Sequence, residues 1–253
     1  MLKLPHLGSL GRFALVAVKS QVIRVLHPNQ EQFECPLCGY RGPFLNSASE
    51  NVRRHAVCGG CGSLERHRVV WMVLQTLAKE RDFRGMSVLH FAPEPCFAKR
   101  FPAMFGKYET ADISGRHVDH KVDMCALPFA EGSFDMVIAS HVLHHVLDEE
   151  AALRSLRRVL RPGGAAIVPV PVFSDVTIEY PYPIETQRRA PGMDYLERCR
   201  KAFGEVRVFS SSDFDPRYQI WIYEDRSQWP PLLRFRPRSQ GEKHKEYVPV
   251  CIP

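Results

Sequence analysis

No stretch of this 253-residue chain holds the roughly eighteen consecutive apolar residues that a membrane-spanning helix needs. The apolar run near the start, Phe13 to Val18, is too short to span and is not followed by a small-residue cleavage site, so neither stable membrane insertion nor a removed leader is expected. Internal repeats and low-complexity tracts are also missing, which excludes solenoid and fibrous architectures. Charge is not piled up in one sign: the net +6 permits an acidic substrate or nucleic acid without requiring either. Of the eight cysteines, Cys96, Cys125, Cys199 and Cys251 lack any pairing or ligand spacing and read as buried or inert thiols. A cytoplasmic protein is the expectation. With 45% hydrophobic residues the chain can bury one full core and a small accessory module.

The accessory module is expected in the first third. Residues 1–30 carry a helix, with Phe13, Val16, Ala17, Ile23 and Leu26 near helical spacing; it docks on the protein or, alternatively, touches a membrane surface. Residues 31–63 hold Cys35-Pro-Leu-Cys38-Gly and Cys58-Gly-Gly-Cys61-Gly. Each pair lets two thiolates reach one ion from a tight knuckle whose trailing glycine permits the turn, so Cys35, Cys38, Cys58 and Cys61 are assigned to a structural zinc ion with no open coordination position. Two disulfides are the alternative, which a cytoplasmic chain would not keep. Ser63 is placed to cap a connecting helix within residues 64–85, whose Leu64, Val70, Trp71, Leu74 and Leu77 form a core-facing stripe. Arg66 and His67, in its first turn, are candidate substrate-binding residues, with Arg53, Arg54 and His55 beside them. Their alternative role is a solvated helix end with an internal ion pair.

The organising stretch runs from Asp123 to Pro171. Phe134 to Ala139 is an apolar run entered from a turn, as in a strand buried on both faces. Asp148 to Leu160 is an amphipathic helix with acids at its start and arginines at its end. Arg161-Pro-Gly-Gly stops it, and Ala165 to Val170 begins a parallel strand. The strings LPFAEGSFDMVIASHVLHHV and RVLRPGGAAIV resemble the class I S-adenosylmethionine (SAM) dependent methyltransferases of the type 11 group, over residues 86–225. The resemblance implies an α/β fold with a Rossmann-like, doubly wound seven-stranded sheet and SAM across its carboxyl edge, here with a small N-terminal zinc ribbon.

The resemblance also assigns the cofactor site. Ser87 to Ala92 is the first strand and Cys96 to Phe105 the helix after it, but Ala92 stands where the family has the first glycine and no Gly-x-Gly follows. Glu94 would repel a pyrophosphate and attract the ammonium and sulfonium of SAM, so a dinucleotide is disfavoured; its alternative is to complement the helix dipole. Asp112, ending the second strand, suits the ribose hydroxyls, with turn formation as the alternative. Val118 to Val122 forms a third strand, after which Asp123 and Met124 take the position that meets adenine; a turn cap competes for Asp123. His141 faces the methyl group, either as a general base or holding the methionine part of SAM. The Asn/Asp-Pro-Pro-aromatic turn of amino-group methyltransferases is absent.

Residues 173–191 form a long connection and a candidate lid. A helix over Met193 to Ala202 and a final antiparallel pair, Glu205 to Phe209 with Tyr218 to Tyr223, close the sheet, leaving an irregular tail over 226–253. The sequence therefore reads as a methyltransferase acting on a hydroxyl or carboxylate of a small-molecule or sugar acceptor, with the ribbon as one wall of the acceptor site. RNA methylation through Arg53, Arg54, Arg66 and Arg68 is a second reading, and a non-catalytic zinc-ribbon binding protein on a degenerate scaffold a third.

Overall fold

The computed structural model describes residues 28–47, 53–115, 117–184, 186–224 and 242–253, together with Val18, Gln21, Val22, Val25 and Leu26. Most of the expected amino-terminal helix and all of the Pro/Arg-rich run 228–238 lie outside the described residues. The chain divides into two compact units, Met1–Met72 with Ser211–Glu246, and Val73–Ser210 with Tyr247–Pro253. In chain order the strands and helices are β1 (Phe33–Glu34), β2 (Arg41–Gly42), α1 (Glu65–Leu77), β3 (Ser87–Phe91), α2 (Pro95–Ala98), α3 (Phe101–Met104), β4 (Lys107–Asp112), β5 (His120–Lys121), β6 (Phe134–Ile138), α4 (Glu149–Val159), β7 (Leu160–Ile167), β8 (Ile178–Ile184), β9 (Gln187–Ala190), α5 (Tyr195–Phe203), β10 (Glu205–Ser210), β11 (Ile222–Glu224), β12 (Glu242–His244) and β13 (Tyr247–Ile252).

The second unit is built on a seven-stranded sheet of order β10-β13-β7-β6-β3-β4-β5, the Rossmann-like arrangement expected. β7, β6, β3, β4 and β5 are parallel, while β13 runs antiparallel to both its neighbours. β3 is buried along its whole length and β6 at four of its five residues, which suits inner strands that lack a polar alternation. Their register sets Leu89 beside Val137, and Phe91 beside Ala111 of β4. The strand order reverses between β3 and β6, so the loops leaving those two strands diverge and open a crevice at the carboxyl edge. α4 forms where its sequence directs: Asp148 Oδ1 accepts from Ala151 N at 2.8 Å, acids fill its first turn and arginines its last. Leu153, Leu156 and Val159 join the core with Leu89, Val137 and Ala166.

Four expectations need correction. The helix foreseen over Cys96 to Phe105 is two short helices, because Pro102 has no N–H to continue the first. The long connection 173–191 is not a plain loop but carries the hairpin of β8 and β9. The last strand is not Tyr218 to Tyr223 but Tyr247–Ile252, which pairs with β10 along its full length. Pro216–Tyr218 instead forms a tight turn that ends on Gln219 in the left-handed region, and Ile222–Glu224 pairs with Glu242–His244. The 226–253 tail is therefore ordered over 242–253 and supplies the seventh strand.

Candidate functional site

In the first unit, Phe33–Glu34 and Arg41–Gly42 pair as a short antiparallel ribbon. Its turn and a second, similar turn bring four sulfurs together. Gly39 N donates to Cys35 O, and Gly62 N to Cys58 O, both at 2.9 Å. Both glycines sit at positive φ, 73° and 71°, a conformation that side chains resist. The Sγ atoms of Cys35 and Cys61 are 3.7 Å apart, as are those of Cys38 and Cys58, and all four lie within 4.8 Å of one another. Metal–sulfur bonds of about 2.3 Å in a tetrahedron require sulfur separations of about 3.8 Å, so the donor set fits zinc. Disulfides, with sulfurs at about 2.0 Å, do not fit these distances.

Ser63 Oγ lies 3.4 Å from Cys35 Sγ and 3.3 Å from Cys61 Sγ, and so it does not cap α1 as expected. The ring of His67 caps the helix instead, since Leu64 N donates to His67 Nδ1 at 3.1 Å. Arg68 is fully buried and donates to Gln219 O, Ala56 O and Ser63 O, with its guanidinium 4.6 Å from the Phe44 ring centroid. Arg53 bonds Glu65 at 3.2 Å, and although burial pulls its pKa down, the charges of Glu65, Glu224 and Glu246 raise it overall. Of the four arginines foreseen as a nucleic-acid surface, Arg68 is therefore internal and Arg53 is partly buried and paired.

At the carboxyl edge of the second unit, Ala92 leaves β3 at a φ of +46°, although it carries a side chain where glycine was expected. Ala92 N donates to Ala111 O at 2.9 Å, which fixes this turn against the end of β4. Glu94 stands at the N-cap of α2 but makes no capping bond with its side chain. Its carboxylate turns back onto β3, where His90 Nε2 lies 2.8 Å from Glu94 Oε2 and His90 Nδ1 lies 2.8 Å from Tyr108 Oη. Burial pushes the Glu94 carboxyl up, but the hydrogen bond with His90, helped by the Ser140 hydroxyl, outweighs it and holds the group below the usual carboxylate range. Burial, then the charge of Glu94, pushes the Tyr108 phenol up, so it stays protonated.

The remaining expected residues lie on the same edge. Asp112 Oδ1 accepts from Ser114 N and Gly115 N, both at 2.7 Å, so one oxygen shapes the turn; Oδ2 takes no hydrogen bond among the described residues. Asp123 Oδ1 accepts from Cys125 N at 2.9 Å, forming the cap that competed with the adenine assignment, and Met124 is buried in the core. His141 follows β6 at a φ of +56°, with its N–H on Pro169 O at 2.8 Å. Ala92, Glu94, Asp112, Asp123, Met124 and His141 thus share one sheet edge, whereas Arg66 and His67 belong to the first unit.

Sequence reasoning passed over three groups on this edge. His90 is a fully buried polar residue within the largely apolar β3, and its i,i+4 spacing to Glu94 was its signal. Ser140 follows β6 directly. Arg189, 4% exposed on β9, donates to Leu143 O and Val146 O at 3.0 Å and to Leu147 O at 3.2 Å, while its Nε bonds Glu179. Thr186 Oγ1 lies 2.9 Å from His145 Nδ1. The hairpin is therefore clasped onto the loop that carries His141.

Comparison with known proteins bears on the same region. Residues 105–168 match the family described as a methyltransferase domain. A demethylmenaquinone methyltransferase of Parafrankia sp. is 35% identical over 108 residues, 43% of this chain and 37% of the relative. A ubiquinone/menaquinone biosynthesis C-methyltransferase of Xanthomonas oryzae is 51% identical over 59 residues, 23% of this chain and 22% of the relative. A solved S-adenosylmethionine dependent methyltransferase from Mesorhizobium loti superposes with a TM-score of 0.47 at 14% identity, covering 72% of this chain and 97% of that one. The matches thus span less than half the length of these curated relatives. The matched residues 105–168 lie within the second unit, whose sheet has the Rossmann-like strand order. Among the described residues no helix is long and apolar enough to cross a membrane.

Proposed function

We propose that the chain is a SAM-dependent methyltransferase whose cofactor lies across the carboxyl ends of β3, β4 and β6. The observation that carries this reading is the pair of carboxylates, Glu94 and Asp112, at the ends of the adjacent strands β3 and β4, beside the reversal of strand order between β3 and β6. A buried carboxylate held in its charged form suits a cationic ligand, and the accepting oxygen of Asp112 suits ribose hydroxyls. When bound, SAM supplies an activated methyl group on a sulfonium that leaves as a neutral thioether. The protein aligns the acceptor with that carbon and excludes water, the main demands of an in-line displacement. Glu94 holds the cationic part, Asp112 the ribose, Ala92 the close backbone approach, and Asp123 with Met124 the adenine. His141 takes the acceptor's proton or orients the methionine part. The four cysteines hold a structural zinc.

The acceptor we infer is a hydroxyl or carboxylate of a small molecule or sugar. An acidic carbon of a quinone-type acceptor is a second reading, favoured by the names of the relatives. RNA is disfavoured by the burial of Arg68 and the pairing of Arg53. Incubating the zinc-loaded protein and cell extract with methyl-labelled SAM tests the reading. Label in small molecules that alkali releases marks an ester; alkali-stable, water-soluble label marks an ether, and label in the lipid fraction marks the quinone-type reading. No transfer together with no SAM binding by calorimetry would leave the non-catalytic scaffold.

A further inference from the structure

The turn after β3 does without the glycines that usually shape it, and its acid, Glu94, is held by a device of its own. His90 is fully buried in the centre of β3, among the rings of Phe97, Phe101 and Tyr108, whose centroids lie 6.1, 5.2 and 5.9 Å from its own. Both ring nitrogens are engaged at 2.8 Å, Nδ1 with the Tyr108 hydroxyl and Nε2 with the Glu94 carboxylate. The donor sequence that uses every proton has Tyr108 donating to Nδ1 and Nε2–H donating to Glu94. Stacking of Phe97 on Phe101, centroids 4.6 Å apart, closes the space around the imidazole, so the ring has one orientation. The Glu94 side chain is only 11% exposed and would be costly to leave charged without such a partner.

We infer that Tyr108 and His90 are positioning residues that fix the Glu94 carboxylate, charged and in one rotamer, as the recognition group for the α-ammonium of an S-adenosyl amino acid. This rests on the methyltransferase reading above and names the part of the ligand that the turn recognises. The chain runs from β4 through β3 into the turn, so it takes over by side chains part of what a glycine-rich turn does by backbone. Glu94 then selects on charge. A ligand with the ammonium gains from it, and a nucleoside lacking the amino acid portion does not.

The test is calorimetric titration of the zinc-loaded protein and three variants with S-adenosylhomocysteine, which has the ammonium, and with methylthioadenosine, which does not. His90→Gln places an amide N–H near the Nε2 position, whereas His90→Asn reaches only the Nδ1 position; Tyr108→Phe removes the outer donor. His90→Asn is expected to weaken S-adenosylhomocysteine about ten- to a hundred-fold, the range of a hydrogen bond to a charged group, and methylthioadenosine less than about three-fold. His90→Gln should restore binding to within about three-fold, and Tyr108→Phe should fall between. Equal losses for both ligands, or His90→Asn binding as wild type does with unchanged thermal stability, would overturn the inference. Failure of the wild-type protein to bind either ligand would instead overturn the methyltransferase reading, so the two failures are distinct. Should His90→Asn not fold, Glu94→Gln carries the same comparison, since it keeps the volume and removes the charge.

Discussion

Ala92 carries a conformation that its side chain opposes, at a φ of +46°, and the left-handed region costs an L-residue about 1–2 kcal/mol. Ala92→Gly relieves that cost and adds chain entropy of roughly 0.5–1 kcal/mol to the unfolded state, so its stability is expected within about 1 kcal/mol of wild type. Ala92→Val, branched at Cβ, should lose about 2 kcal/mol or more. Urea denaturation of both variants measures this, and equal stabilities would contradict the turn geometry. Glu94 gives a pH signature. Its folded pKa is depressed below the ordinary 4.5, so the unfolded state binds more protons as pH falls and the stabilisation, complete above pH 4.5, is lost through the lower folded value. The melting temperature of wild type should drop more steeply below pH 4.5 than that of Glu94→Gln; parallel profiles would count against the His90 contact. Asp112 and Asp123 show how far residues alone can be read: type and position at a strand end were visible, but that each spends one oxygen on its own turn depends on backbone geometry.

At the scale of elements, the parallel core strands and α4 were legible because burial on both faces and a 3.6-residue stripe leave period in the sequence. β13 was not, because Pro249 demotes a strand in any reading by pattern. In the fold Pro249 O accepts from Val168 N at 3.3 Å, and Val168 O, which a proline cannot serve, accepts instead from the Tyr195 hydroxyl at 2.8 Å. The β8–β9 hairpin hid for another reason. Its first strand is largely exposed, with Pro181 and Pro183 within β8, and what ties the hairpin down is chiefly Arg189, buried on β9. Arg189 also offsets the buried charge of Glu149, whose pKa burial raises while Arg189 and Arg198 oppose the rise. Arg189→Leu should therefore lower stability by about 3 kcal/mol, the scale of breaking a buried pair, and free the 143–147 loop. Hydrogen exchange is expected to quicken at residues 143–147 while β3 and β4 stay protected. Unchanged exchange in that loop would show that the hairpin is held by other means.

Across the whole chain, the cysteine spacing was the most readable feature, yet what it organises was not. The first unit takes residues from both halves of the sequence, since Ser211–Glu246 lies between the sixth and seventh strands of the sheet but belongs with the sulfur cluster. Arg68 and Gln219 make that join: Gln219 accepts from Arg68 at its carbonyl, and its amide donates to His55 O at 3.0 Å and Trp221 O at 3.2 Å. No local pattern announces a bond between positions 151 apart in sequence. Zinc removal by a strong chelator is expected to release one ion per chain and to unfold this unit cooperatively, with residues 211–224 becoming protease-sensitive together with the ribbon. Chelation without metal release, or with 211–224 still protected, would contradict a shared metal-dependent fold. The central claim is narrower: one cationic sulfur nucleoside is held by Glu94 and Asp112 together. A crystal structure with S-adenosylhomocysteine measures it most directly. The account predicts the ribose on Asp112 Oδ2 and the ammonium at Glu94; a nucleoside bound elsewhere, or touching only one of the two carboxylates, would contradict it.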